Sequence, residues 1–453
     1  MAKTTVAAIS TPLGEGGLGV IRISGEDAIS IADKVFKSVS GKTLSSLAGY
    51  SALFGHIFDN DTMLDEAVAT VFLAPKSYTG ENVCEISCHG GRYILNAVLR
   101  VILENGASLA APGEFTKRAF LNGKLDLAEA ESVMGLISAK GEEELKLQLA
   151  AKNGRTSKEI GEIESLLLEL SANFAAYSDY PDEDLADLSI DNFIRLCNEA
   201  ESRLKNLLDT YDNGRILREG IKTAIVGKPN VGKSTLMNLL SGEERSIVTD
   251  IAGTTRDVIE GEVKCGKLTL CLADTAGIRK TDDSIESLGV TLAKDRLRSA
   301  QLVLAVFDTS SPLEENDKEI ISLIHPKNTV VILNKSDRGS KINNDAFKGY
   351  ATVTISAKEG IGKDVLENTI YEIVGLAKID SDSAILLNER QRDLSQKAYS
   401  AVLEAKSLII SGYTIDAVGV CIDEALSRLY EIDGKRVTNE VADEVFRRFC
   451  VGK

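Results

Sequence analysis

The chain has 453 residues, 43% of them hydrophobic and 26% charged, enough for two or three packed domains rather than one. No apolar run approaches the roughly 18 residues of a membrane-spanning helix, and the start lacks a secretory signal and the arginines of a transit peptide, so the sequence reads as cytoplasmic, with no membrane partner. A formal net charge of −16 argues against broad nucleic-acid affinity but leaves room for a local basic site.

Residues 1–118 are rich in glycine and short strand-like runs, such as Gly19–Ser24 and Ala67–Leu73, separated by turn signals at Pro12, Ser24-Gly25 and Ala111-Pro112-Gly113. Cys84, Cys88 and His89 could be read as a metal cluster. The alternative is that Cys84, Ile86 and Cys88 alternate inward on one face of a strand, and seven scattered cysteines suggest no disulfide framework. From 119 to 217 apolar residues recur at helical spacing: Leu125, Ala128, Val133, Leu136 and Ile137, then Ile160, Ile163, Leu166, Leu167 and Leu170. Within 218–380 strands alternate with helices, the pattern of a mostly parallel sheet covered on both faces. Residues 381–453 are helical again, and 386–453 hold 10 Lys and Arg against 11 Asp and Glu, so the acidic excess lies elsewhere. The expected fold is multidomain α/β plus α: an N-terminal α/β domain over 1–118, a discontinuous helical domain over 119–217 and 381–453, and, inserted between its two parts, an α/β domain over 218–380 whose Gly227-Lys-Pro-Asn-Val-Gly-Lys-Ser234 loop makes it a Ras-like P-loop fold.

The strand-like run Ile221–Val226 leads into Gly227-Lys-Pro-Asn-Val-Gly-Lys-Ser234, with a helical segment after it. In such a loop the backbone N–H groups wrap phosphates and the helix N-terminus adds partial positive charge. Asn230, Val231, Gly232, Lys233, Ser234 and Thr235 are therefore expected to bind GTP, Lys233 on the β- and γ-phosphates and Ser234 on Mg²⁺. Asp274-Thr-Ala-Gly277 follows a strand and places Asp274 near Mg²⁺ and the Gly277 N–H near the γ-phosphate. Asn334-Lys335-Ser-Asp337 follows another strand. The Asp337 carboxylate can accept hydrogen bonds from N1–H and the exocyclic amine of guanine, a donor pair that adenine lacks. Ser356, Ala357 and Lys358 supply a backbone N–H for the guanine carbonyl. Thr255, in Gly253-Thr-Thr-Arg-Asp257, has the position of a switch threonine on Mg²⁺, or it belongs to an ordinary Gly-Thr turn. Ile278 stands where a Ras-like site has its water-orienting glutamine, so hydrolysis needs another group. Glu286 is one candidate; the alternative is a solvated helix residue.

The loop Gly227–Thr235 with Asn230, together with Gly253-Thr-Thr-Arg-Asp257, resembles the TrmE-Era-EngA branch of GTPases. Outside that domain, Thr11–Gly25, Pro112–Ala130 and the terminal Phe449-Cys-Val-Gly-Lys453 are similar to the MnmE (TrmE) family of tRNA-modification GTPases, so the resemblance covers essentially the whole chain. It implies a homodimer that works with the FAD-containing protein MnmG (GidA) on carbon 5 of the wobble uridine of tRNA. It implies a one-carbon unit from a tetrahydrofolate derivative held in the N-terminal domain by Arg22, Glu81 and Lys124, which composition alone would read as surface charges. It also implies G-domain dimerisation around K⁺, with Asn230, Thr249, Ile251 and Thr254 as ligands and Glu286 orienting water. Cys450, near a mobile C-terminus, would be a nucleophile favoured by Arg447, Arg448 and Lys453; the bland reading is a small apolar residue beside Phe446 and Phe449. Two other classes share the G-domain motifs. A ribosome-assembly switch should carry a Gly-x-x-Gly RNA-binding appendage or a second G domain, and 381–453 shows neither. A regulatory GTPase with a structural N-terminal domain would not bind folate.

Overall fold

The computed structural model describes residues 4–139, 141–179, 190–241, 261–266, 268–272, 297, 300–375 and 384–452. The N-terminal region contains strands β1 Val6–Ile9, β2 Gly19–Ser24, β3 Phe36–Ser38, β4 Ser51–Asp59, β5 Thr62–Phe72, β6 Val83–Cys88 and β7 Ser108–Leu109, with helices α1 Ala28–Val35, α2 Arg92–Glu104 and α3 Glu114–Leu121. They form one sheet of order β3-β4-β5-β6-β2-β1-β7, antiparallel except where β1 meets β7. Alternation decides which face each residue takes. Ile21 and Ile23 of β2 and Cys84, Ile86 and Cys88 of β6 point into a core closed by Ala28, Ile31 and Val35 of α1 and Leu95, Val98 and Ile102 of α2. The cysteines are therefore core residues, the strand alternative above. Arg22 and Glu85, on the intervening positions, face the other side, where Val6, Ala8, Ala110 and Phe115 make a smaller core.

Four helices follow: α4 Leu127–Ser138, α5 Glu142–Lys152, α6 Arg155–Asp179 and α7 Ile190–Glu219. The next block has β8 Ile221–Val226, α8 Lys233–Ser241, β9 Gly261–Cys265, β10 Leu268–Leu272, β11 Leu302–Asp308, α9 Glu315–Leu323, β12 Thr329–Asn334, β13 Ala351–Thr354 and α10 Lys363–Ile373. Its sheet runs β13-β12-β11-β8-β10-β9 and is parallel except for the β9–β10 hairpin. β11 and β12 are nearly unbroken apolar runs, Leu-Val-Leu-Ala-Val-Phe and Val-Val-Ile-Leu, because both faces are covered. Leu304 and Ile332 enter one core with Leu236 and Leu366, while Val303, Phe307 and Val331 enter another with Ile324 and Phe347. The chain ends with α11 Glu389–Ile410, α12 Ile415–Asp433 and α13 Asn439–Arg447.

By compactness the chain forms two units: Met1–Ile137 with Ala151–Leu204 and Glu389–Lys453, and Ser138–Ala150 with Lys205–Asn388. Within the first, distant stretches of sequence share one core, where Leu127, Ala130 and Val133 of α4 pack on Ala442 and Phe446 of α13 and on Phe449. A polar clamp joins the same stretches. Arg390 donates from Nε and Nη2 to the two oxygens of the nearly buried Glu131, at 2.8 and 2.9 Å, and from Nη1 and Nη2 to the carbonyls of Glu431 and Ile432 at the end of α12. No described helix is long and apolar enough to cross a membrane.

Candidate functional site

In the second unit β8 delivers the chain to Gly227, and α8 begins at Lys233. The loop between them closes against two strands. A Cβ on Gly227 would come within 2.4 Å of the Val306 carbonyl, and one on Gly232, at φ 99°, within 2.3 Å of Asn334 Nδ2. Glycine is required at both places by this close approach. Val231 is buried and anchors the loop from within.

Asn334, at the end of β12 and 2% exposed, knits the site together. Its Nδ2 donates to the Val231 carbonyl at 2.8 Å, and its Oδ1 accepts from the Ala357 N–H at 2.9 Å. One buried amide thus joins the phosphate loop, the base loop and the Ser356–Lys358 loop, with donor and acceptor both used. Lys335 follows in the left-handed conformation, φ 64°, and its Nζ donates to the Asn230 carbonyl and to Asp308 Oδ2, each at 2.6 Å. Asp337 is exposed. The buried Ser356 hydroxyl donates to its Oδ1 at 2.7 Å, which holds the carboxyl below the usual carboxylate range. The carboxylate is thereby ionised and oriented, as an acceptor for two guanine donors must be. Lys358 is exposed and lies 3.4 Å from Glu359.

Lys233 lies over its own loop, donating to the carbonyls of Gly227 at 2.7 Å and Lys228 at 2.9 Å, and burial lowers its pKa from the ordinary lysine value. Ser234 and Thr235 are exposed on the first turn of α8. The structure therefore brings together Asn230, Val231, Gly232, Lys233, Ser234, Thr235, Asn334, Lys335, Asp337, Ser356, Ala357 and Lys358. Asp274, Gly277, Glu286, Thr249, Ile251, Thr254 and Thr255 lie outside the described residues.

Motif reading overlooked the acidic residues behind this loop. Lys228 Nζ contacts Asp317 Oδ2 and Glu314 Oε2, both at 3.0 Å, and Asp317 is 2% exposed. Glu314 and Asp317 also form the capping box that opens α9. A local signal exists, since acidic residues suit the first turn of a helix, but nothing local ties Asp317 to a loop almost ninety positions away.

In the first unit, Arg22 donates to Glu85 at 2.8 Å, and its guanidinium lies 5.2 Å from the Tyr78 ring centre and 5.5 Å from that of Phe115. Glu81 accepts from Ser24 Oγ and Arg118 Nη1, each at 2.9 Å. Next to it, Gly80 abuts the third candidate, for a Cβ there would lie 3.4 Å from Lys124 Cγ; Lys124 Nζ reaches the Pro75 carbonyl at 3.3 Å. Arg22 on β2, Glu81 in the loop before β6 and Lys124 in the turn after α3 are thus neighbours through Tyr78, Ser24 and Gly80, with the Phe115 ring buried.

The C-terminal end is held rather than free, a correction to the expectation from sequence. The Gly113 N–H donates to the Cys450 carbonyl at 3.4 Å and Ser10 Oγ to that of Gly452 at 3.1 Å, while the Cys450 side chain is exposed. Arg447 and Arg448 both pair with Glu444, which shares the positive charge expected to act on Cys450. Lys453 is outside the described residues.

A phosphate loop fed by a parallel strand and a base loop ending in an oriented aspartate, joined by one buried asparagine, define a P-loop guanine-nucleotide domain. The chain matches the family "MnmE helical domain" over residues 127–450 and "GTP-binding protein TrmE N-terminus" over 5–124. It is 42% identical over 451 residues to the tRNA modification GTPase MnmE of Lactococcus lactis (99% of this chain, 98% of that one). It is 41% identical over 464 residues to that of Carboxydothermus hydrogenoformans, covering both chains fully. The chain belongs to the MnmE (TrmE) family. Two solved structures align with part of it: the G domain of the T. maritima FeoB iron transporter (28% identical, 34% of this chain and 98% of that chain, TM-score 0.25) and Aquifex aeolicus Era (31% identical, 40% and 66%, TM-score 0.26).

Proposed function

We propose that this chain hydrolyses GTP and, with a flavoprotein partner of the MnmG (GidA) kind, modifies carbon 5 of the wobble uridine of tRNA. The observation that carries the nucleotide part is Asn334, whose one buried side chain ties the phosphate loop to the loops that read the base. Lys233 binds the β- and γ-phosphates by exchanging two loop carbonyls for phosphate oxygens, and Asp337 reads guanine.

The residues present suit the ions that this reaction uses. The exposed Ser234 hydroxyl at the start of α8 would hold Mg²⁺, with Thr255 and Asp274, and the ion offsets phosphate charge. Asn230 is exposed and held at φ 62°, so its side-chain oxygen is available to K⁺, with Thr249, Ile251 and Thr254 as the other ligands. A monovalent cation there would offset charge developing on the transferred phosphoryl group. Ile278 has no side-chain group to hold water, and Glu286, which matches the position of the family's water-orienting carboxylate, is the residue proposed to orient the attacking water. K⁺-dependent pairing of two G domains in a homodimer is the arrangement proposed.

The patch of Arg22, Glu81 and Lys124 fits a tetrahydrofolate derivative, which would supply the one-carbon unit: cations for carboxylates and a carboxylate for ring N–H donors, beside the half-buried Tyr78 ring. Cys450 is the proposed nucleophile toward the pyrimidine. The reading is tested by GTP hydrolysis in matched KCl and NaCl buffers, for the full chain and for Asn230→Ala. Strong activation by KCl that the substitution abolishes is expected. Equal rates in both salts would remove the cation mechanism and favour an arginine supplied by a partner.

A further inference from the structure

Among the described residues four non-glycine positions have positive φ, and two of them, Asn230 and Lys335, clasp each other in the nucleotide site. Left-handed backbone is disfavoured for L side chains and persists where the surroundings over-determine it. The Lys335 ammonium bonds the Asn230 carbonyl, but a lysine head on a four-carbon stem fixes nothing unless it is itself fixed. Asp308 does this. It ends β11 directly opposite Asn334 in the parallel register, and its Oδ2 takes the Lys335 ammonium at 2.6 Å. Its Oδ1 accepts from the Ser310 N–H at 2.9 Å and the Ser310 hydroxyl at 2.6 Å, so both oxygens are committed and the carboxylate has one orientation.

We propose that Asp308 is a positioning residue for guanine-nucleotide binding: acting through Lys335, it sets the backbone of Asn230 in the phosphate loop. The inference rests on the nucleotide site proposed above. Burial alone would raise the Asp308 pKa, but hydrogen bonds from Lys335 and Ser310 outweigh it and hold the group ionised. The same β11–α9 connection holds the loop a second time, through Asp317 and Glu314 on Lys228. The phosphate loop is therefore braced at 228 and 230 by one segment, and the brace at 230 passes through the lysine of the base loop. Base recognition and phosphate-loop geometry share that contact.

The test is a double-mutant cycle on the full chain, with a fluorescent GDP analogue as the probe. Its affinity and dissociation rate are measured for wild type, Asp308→Ala, Asp308→Asn, Lys335→Ala and Asp308→Ala with Lys335→Ala. Asp308→Ala should weaken binding about tenfold, because Lys335 loses the partner that fixes it. Asp308→Asn, which keeps shape but not charge, should lose less and serves as the probe if the alanine variant fails to fold. In the Lys335→Ala background the same Asp308 change should cost under about twofold, since the two residues act as one unit. Wild-type-like binding by Asp308→Ala, or an equal loss in both backgrounds, would overturn the inference while leaving the nucleotide site intact. A wild type that binds no GDP would overturn both.

Discussion

Lys233 is held by two carbonyls of its own loop and is charged at a cost, since burial lowers its pKa from the ordinary 10.5. Phosphate binding needs the ammonium form. Raising pH removes that charge earlier than for an exposed lysine, so GDP affinity should fall on the alkaline side while ordinary lysines are still protonated. Titrating the dissociation constant upward from pH 7 checks this; a flat profile would mean that Lys233 stays charged. His89 shows the opposite sign. Its Nδ1 lies 2.7 Å from Asp65 Oδ1, and that hydrogen bond raises its pKa above 6.5. The pair therefore contributes stability that is fully present below the unfolded value and lost as pH rises through the folded one. Chemical denaturation at pH 5.5 and 8.5 should show this dependence for wild type and much less of it for His89→Gln. At this scale the sequence was informative where chemistry is local: the residues from Asn230 to Thr235 and from Asn334 to Asp337 act as short runs, and a run can be read. Asp308, Asp317 and Lys228 could not be found that way, because each works through a partner brought near only by the sheet.

Strands and helices were readable where burial imposes a period. Gly19–Ser24 alternates between buried and half-buried residues, and Val330–Leu333 of β12 is continuously apolar because both faces of its sheet are covered. What joins the elements was not readable. The clamp of Arg390 on Glu131 spans residues 259 positions apart, and each is an ordinary helix residue in its own segment. Glu131 is 8% exposed and Arg390 22%, so truncating either strands its partner. Glu131→Ala should destabilise the first unit by about 3 kcal/mol, measured by denaturant titration; a loss under about 0.5 kcal/mol would mean that the α4–α13 core alone holds these helices. The Lys435 pair with the buried Glu164 ties the α12–α13 turn to α6 in the same way, and its ammonium is pushed up to about 12, burial opposing and the Asp433 and Glu164 carboxylates outweighing it.

At the scale of the whole chain, one compact unit carries the candidate one-carbon patch and Cys450, and another carries the nucleotide site. The two proposals can be tested apart. A tetrahydrofolate derivative titrated into the full chain should bind wild type and bind Arg22→Ala at least about tenfold more weakly, with GDP binding unchanged; equal folate binding by both would return Arg22 to a structural role. Guanine recognition through Asp337 is read out by competition among GDP, ADP and XDP for wild type and Asp337→Asn. Xanthine carries a carbonyl where guanine has its exocyclic amine, so an amide at 337 can donate where the carboxylate could only accept. Wild type should prefer GDP strongly over both rivals, and Asp337→Asn should lose GDP and gain XDP. A wild type that binds ADP as tightly as GDP, or a variant whose preference is unchanged, would contradict it.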